Sequence, residues 1–328
     1  MAPTNVAIVG CGRIGRKRAA ALAGCRLAVC CDLDLASAQA LAETHPGAVA
    51  LADSYEAATS PAVDIVLVAT THDMLAPIAA SAAQAGKHVF IEKPGARRAC
   101  ELDAVVQAAR GSGVCVRIGF NHRCHPALRK AREIVDSGAL GPLLFVRGRY
   151  GHGGRLGYDR EWRADPVLSG GGELLDQGIH LIDLSRWFLG NFTRVDGRTR
   201  TYFWNMPVDD NAFLLLETAA GQTAFLHASW TEWKNLFSFE ISGQTGKLEA
   251  SGLGGSYGME RLTFYQMLPE MGPPETTTWE FPGPDESWEL EFAEFLEDMR
   301  LGREPHPGIA DAQAALRVVE RVYQENRK

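Results

Sequence analysis

The chain has 328 residues, too many for one ordinary hydrophobic core and a fit for two. With 46% hydrophobic and 22% charged residues, it reads as a soluble folded chain and not as a disordered one. Its 33 basic residues are outnumbered by 40 acidic ones, which argues against nucleic-acid binding through phosphate neutralisation, and no apolar run approaches the ~20 residues of a membrane span.

The start, Met1 to Asn5, has no basic flank or apolar stretch of a targeting peptide and runs straight into a strand, so a cytoplasmic location is expected. Through residue 120, short β-branched runs alternate with Ala-rich helical stretches. Strands are expected at 5–9, 26–31, 48–51, 64–69, 87–91 and 114–118, with helices at 16–23, 35–44, 75–85 and 97–110 between them. The strands are nearly unbroken apolar runs, such as Ile65-Val66-Leu67-Val68, as required when helices cover both faces. The pattern predicts an α/β fold: residues 1–120 form a doubly wound parallel sheet, a dinucleotide-binding Rossmann domain.

After residue 120 the rhythm changes. A helix at 126–137 leads to a strand at 143–150, and a Gly-rich stretch precedes a helix at about 173–189. Strands follow at 194–203, 212–218, 223–231, 237–242, 262–267 and 276–281, and turn signals such as Ala220-Gly221 separate them. Long strands joined by short turns predict a large, open, mainly antiparallel sheet. Helices at 289–301 and 310–326 close the chain. Residues 121–328 therefore read as an α+β domain with an open sheet, whose C-terminal helix is able to pack back on the first domain. Thr201-Tyr202-Phe203-Trp204 and Phe213-Leu214-Leu215-Leu216 hold too many adjacent apolar residues for a sheet wetted on one face. A homodimer or homotetramer through this sheet is expected.

Four places carry chemistry. Gly10-Cys11-Gly12-Arg13-Ile14-Gly15 follows the first strand and opens the first helix, where glycines allow a tight turn and close approach to a pyrophosphate. Asp32 ends the second strand; a carboxylate there accepts from ribose hydroxyls and repels a 2′-phosphate, and Leu33-Asp34 supply no Arg, which favours NAD over NADP. The fourth strand ends in Thr70-Thr71-His72 and the fifth in Glu92-Lys93-Pro94, at the carboxyl ends where ligands sit in such sheets. The fourth place is Gly170-Gly171-Gly172-Glu173 running on to Asp176, His180 and Asp183. On a helix Asp176 and His180 share one face, an acid beside an imidazole suited to proton transfer, with Asp183 as a further partner. The spacing alone equally fits an ordinary Asp/His pair on a helix. The seven cysteines, odd in number and without a CxxC, read as reduced small hydrophobes. His122-Arg123-Cys124-His125 has no second ligand pair elsewhere, and no metal is expected.

Together, Gly10–Gly15, Thr70-Thr71, Ala85-Gly86-Lys87-His88-Val89 leading into Glu92-Lys93-Pro94, and Gly171-Gly172 with Asp176 and His180 resemble the Gfo/Idh/MocA family of oxidoreductases. The resemblance covers essentially the whole chain. It implies reversible hydride transfer between a nicotinamide cofactor and a secondary alcohol of a sugar, cyclitol or sugar derivative. It also implies that Lys93 polarises the reacting hydroxyl, that His180 is the general base in oxidation and acid in reduction, and that Asp176 binds substrate or orients His180. Cofactor contacts then fall on Gly10, Gly12, Arg13, Ile14 and Gly15, on Asp32, on Thr70, Thr71 and His72, and on Glu92, Lys93 and Asn121. A departure is Thr71-His72-Asp73, where many members carry Pro-Asn.

By the same resemblance, the stretch from Asn121 to Pro126 and the loop from Arg149 to Arg163 shape the substrate pocket. The loop brings Tyr150, His152, Arg155, Trp162 and Arg163, and its arginines are compatible with a phosphate-bearing or nucleotide-linked sugar. The sequence thus reads as an NAD-dependent dehydrogenase of a sugar or nucleotide-linked sugar. Two alternatives are an inositol-type dehydrogenase and a regulatory protein that binds a dinucleotide without catalysis. The joint presence of Lys93, Asp176 and His180 favours the enzyme.

Overall fold

The computed structural model describes residues 4–270 and 272–326. These divide into two compact units. One runs to Phe120 and adds Val167–Gly170 and Trp288–Ala314; the other holds Asn121–Pro166, Gly171–Ser287 and the chain from Ala315 on.

In the first unit the elements run β1 (Asn5–Val9), α1 (Arg13–Ala20), β2 (Arg26–Cys31), α2 (Leu35–Ala42), β3 (Val49–Leu51), α3 (Ser54–Thr59), β4 (Ile65–Val68), α4 (His72–Gln84), β5 (His88–Glu92), α5 (Asp103–Ser112) and β6 (Val116–Gly119). The strands pair in parallel in the order β3-β2-β1-β4-β5-β6. Strand order reverses between β1 and β4, which opens a ligand crevice beyond their carboxyl ends. Asp34 caps α2 by accepting from the Ala36 amide, and Thr71 stands before α4 with its hydroxyl donating to Asp73. The helix α3 was not expected; Asp53 starts it by accepting from the amides of Tyr55 and Glu56.

The second unit begins with α6 (Pro126–Asp136) and β7 (Leu143–Gly151); the single turn α7 (Pro166–Ser169), which falls mostly in the first unit, precedes α8 (Ile179–Leu189) of the second. The strands β8 (Phe192–Arg200), β9 (Asn211–Thr218), β10 (Thr223–Ser229), β11 (Leu236–Gly243), β12 (Gly246–Ser251), β13 (Glu260–Gln266) and β14 (Glu275–Phe281) join β7 in one sheet, ordered β14-β13-β12-β11-β7-β10-β9-β8. All neighbours are antiparallel except β7 and β10. One face is covered by α8, which lies against β7 and β10. The stretch Thr201–Trp204 does not extend β8. The Asp210 carboxylate takes the amides of Tyr202, Phe203 and Trp204 and bends the chain away from the sheet. The run Phe213–Leu216 does lie in β9, where Leu214 and Leu216 are buried and Leu215 is 51% exposed.

Two helices close the chain, α9 (Ser287–Leu301) and α10 (Ile309–Asn326). Phe292 and Phe295 of α9 join the core of the first unit, with ring centroids 6.0 and 5.7 Å from Phe90. Burial of each contributes roughly 1.5–3 kcal/mol. The same helix brings charge into that core. Arg18 of α1 lies buried between the rings of Phe90 and Trp288, 2.6 Å from Glu92 and 2.7 Å from Glu291. Arg117 of β6 is met by Glu294 and Asp298. Such buried charges are tolerable because each has an opposite partner. No helix among the described residues is long and apolar enough to cross a membrane.

Candidate active site

At the first β–α turn, Gly10 has φ of +99° and comes so close to β4 that a Cβ would lie 2.4 Å from the Ala69 carbonyl oxygen. At Gly15 a Cβ would lie 1.8 Å from the Gly10 oxygen. These two glycines are fixed by packing. Gly12 differs: it precedes α1 without a capping side chain, and nothing lies within 4 Å of where its Cβ would stand. The free amides of the helix start and the open space above Gly12 suit a pyrophosphate. Arg13 and Ile14 begin the helix itself. At the rim, Asp32 accepts from the Cys11 amide at 2.7 Å and the Asp34 amide at 3.0 Å. A carboxylate offers about four acceptor sites, so it retains room for two ribose hydroxyls.

At the ends of β4 and β5, Thr70 donates to the Thr71 carbonyl, and His72 is buried with Nδ1 2.7 Å from the Ser169 oxygen. Lys93 follows β5 and is partly buried, whereas Glu92 turns inward to Arg18. Glu92 is thus a fixed support for α1 and β5 beside Lys93.

In the second unit, the stretch from Glu173 to Leu189 is not one uniform helix. Leu174–Gly178 form a π-helical turn that runs into α8. Such widened turns recur at functional sites. Here it carries Asp176 and Gln177 and leads directly to His180. Its start is held by Asp209, whose carboxylate accepts from the Gly172 amide at 3.1 Å, the Leu174 amide at 2.9 Å and the Tyr323 hydroxyl at 2.8 Å. The fit explains Gly172, where a Cβ would lie 2.0 Å from the Asp209 carbonyl oxygen. Nothing in the spacing of the chain announces Asp209 or Tyr323, because both arrive by tertiary folding.

Asp176 and His180 are 8% and 5% exposed, so neither is an ordinary surface residue. Arg163 donates its Nε to Asp176 at 3.0 Å. The His180 ring is stacked on His122, with centroids 3.8 Å apart and planes 18° from parallel. Tyr150 at the end of β7 meets His122 edge-on at 5.1 Å and His180 at 6.2 Å. Burial, together with Tyr257, Glu173 and Asp176, pushes the Tyr150 hydroxyl well above its ordinary range, so it remains a protonated donor. Gln177 donates to the Tyr257 hydroxyl at 2.9 Å, and its buried Oε1 has no hydrogen-bond partner among the described residues. That oxygen is an acceptor suited to a substrate hydroxyl. Asp183, expected as a further partner of His180, is engaged by Arg123, which binds it through Nε at 2.8 Å and a terminal nitrogen at 2.6 Å. Sequence spacing on a helix gave no sign of that partner.

The remaining loop residues are tied to the protein. His152 accepts from the Gly154 amide through Nδ1, Arg155 pairs with Glu161 at 2.7 Å, and the Arg163 guanidinium lies over the Trp162 ring at 4.6 Å. Arg149 faces Glu232 at 3.5 Å. Asn121 donates to Ser287 at 2.9 Å and faces His122 with its oxygen. His125 is paired with Glu260.

Residues 4–120 match the family described as "Oxidoreductase family, NAD-binding Rossmann fold", and residues 128–249 match the "GFO/IDH/MocA C-terminal domain". Among curated proteins, the chain is 27% identical over 290 residues to levoglucosan dehydrogenase of Pseudarthrobacter phenanthrenivorans, covering 74% of this chain and 72% of the relative. It is 30% identical over 230 residues to inositol 2-dehydrogenase 2 of Saccharopolyspora erythraea, covering 66% of this chain and 64% of that protein. Among solved structures, GenD2 from gentamicin A biosynthesis in complex with NAD has a TM-score of 0.85 and 26% identity, over 100% of this chain and 95% of that one.

Proposed function

This chain belongs to the Gfo/Idh/MocA family of oxidoreductases, and on that premise we propose that it moves hydride between NAD and a secondary hydroxyl of an uncharged sugar. It is an oxidoreductase of CH–OH groups. The nicotinamide, when bound, supplies the hydride acceptor for oxidation and the donor for reduction. The glycine turn and the start of α1 would hold the pyrophosphate, and Asp32 the adenosine ribose. Leu33, 91% exposed, brings no cation for a 2′-phosphate, which favours NAD over NADP.

The observation that carries this reading is the buried His180 imidazole in the first turn of α8, directly after a widened helical turn whose Asp176 carboxylate is held by Arg163. A sugar hydroxyl is a very weak acid, and hydride leaves its carbon readily only as the O–H proton departs. His180 takes that proton in oxidation and returns it in reduction. To Lys93 we assign the positive charge that steadies the oxygen as it loses its proton. Arg163 orients Asp176, and Gln177 Oε1 offers an acceptor for a neighbouring hydroxyl.

The choice of an uncharged substrate follows from the ion pairs. Arg149, Arg155 and Arg163 each face a carboxylate of the protein, so a phosphate would have to displace Glu232, Glu161 or Asp176. A cyclitol is a second reading, supported by the likeness to an inositol dehydrogenase, because a ring of hydroxyls asks the same of His180 and Gln177. The test is NADH formation by the purified protein with a panel of free sugars, cyclitols and nucleotide-linked sugars. Turnover with free sugars is expected. Turnover with nucleotide-linked sugars alone would overturn the substrate assignment, and no turnover with any alcohol would overturn the enzyme reading.

A further inference from the structure

His122 is buried, 4% exposed, and lies face to face with His180. Its protonation pattern can be worked out from a chain of hydrogen bonds that starts at a carboxylate. Asp285 Oδ1 and Ser287 Oγ are 2.6 Å apart; a carboxylate only accepts, so the serine hydroxyl donates to it. The Ser287 oxygen is then left to accept, and it does so from the Asn121 amide nitrogen at 2.9 Å. This orientation turns the Asn121 oxygen toward His122 Nδ1, 3.2 Å away. An amide oxygen only accepts, so Nδ1 carries the proton.

The chain fixes the tautomer that a neutral His122 adopts, with its lone pair on Nε2. The groups around the two rings are His125, Tyr150 and Phe237 against His122, with Tyr150 again against His180. Asp176 and Glu173 are the buried carboxylates of the same turn, and Tyr257 adjoins Tyr150. Through Nδ1 the partner of His122 is the neutral Asn121 amide. Two imidazolium rings at 3.8 Å would repel strongly in so dry a place.

We propose that His122 is a positioning residue for His180: the Asp285–Ser287–Asn121 chain holds it as the neutral Nδ1–H tautomer, and its ring face fixes the plane of the His180 imidazole. The stack then carries one positive charge at most, on His180. The inference rests on the proton-transfer role proposed for His180, but its geometry is testable without turnover.

Nitrogen NMR of the histidine rings in the substrate-free protein, between about pH 5 and 8, reads both rings directly. His122 should show the neutral Nδ1–H pattern while His180 takes up the proton. An Nε2–H pattern at His122, or protonation of His122 ahead of His180, would overturn the proposal. In kinetics, His122→Phe keeps a flat ring and should hold kcat within about threefold, whereas His122→Ala should lower kcat by about tenfold with the KM for NAD unchanged. Equal losses in the two variants would overturn the stacking role. If the wild-type protein oxidises no alcohol, the functional reading fails, and the NMR result still decides the tautomer.

Discussion

The proposed preference for NAD rests on one carboxylate, Asp32. Asp32→Ala should narrow the difference in KM between NAD and NADP, and Asp32→Ala with Leu33→Arg should invert it; a lower wild-type KM for NADP would show that the ribose argument is wrong. Arg163 is a second single-residue lever, because it holds Asp176 at 3.0 Å. Arg163→Gln should lower kcat/KM for the alcohol by about tenfold while the KM for NAD holds, in steady-state kinetics. Equal weakening of NAD binding would mean the pair serves the cofactor instead. Much of this residue-level account was legible in the chain. Gly10–Gly15, Asp32, Lys93, Asp176 and His180 occupy short, chemically distinctive motifs. His122 was read only as part of a pocket-shaping stretch, and Gln177, Asp209 and Tyr323 were given no site role, because their parts depend on a ring stack, an unmet acceptor and bonds from distant segments.

Among the elements, strands buried on both faces, such as β4, were readable because an unbroken apolar run has few other homes. The strand β12, Gly246–Ser251, was missed although its polar and apolar residues alternate, because the alternation is short and Gly246, Lys247, Glu249 and Ala250 all have low strand propensity. The π-helical turn has no signature in helical spacing; it shows only once Asp209 is in place at its start. The helix α9 has a consequence for pH. Burial pushes the Glu291 carboxyl from its ordinary value of 4.5 up to about 7, against the opposing pull of Arg18. A raised pKa in the fold means the folded state holds the proton more tightly than the unfolded chain. The stability this supplies is complete below about pH 4.5 and is lost as pH rises through about 7, an effect of about 3 kcal/mol. Thermal unfolding across that range should show Glu291→Gln flattening this component; an unchanged slope would place the titration elsewhere.

At the scale of the whole molecule, the outer face of the second sheet is partly apolar. Phe225 of β10 lies opposite Leu215 of β9, and the two are 50% and 51% exposed. Phe145 of β7, 37% exposed, adds to the same region. We expect this face to bury itself against a second copy, giving a dimer or tetramer. Light scattering on the wild type and on Leu215→Glu with Phe225→Glu tests this; a wild-type monomer at micromolar concentration would contradict it. The central claim is that an alcohol proton passes to His180 as hydride leaves for the nicotinamide. The direct measurement is the pH profile of kcat/KM for NAD-dependent alcohol oxidation, taken side by side for the wild type and His180→Ala. The wild type should rise with one titrating group as pH increases, and the variant should lose that limb with a kcat about 10²–10⁴-fold lower. A variant that keeps both the limb and near-normal turnover would contradict the account.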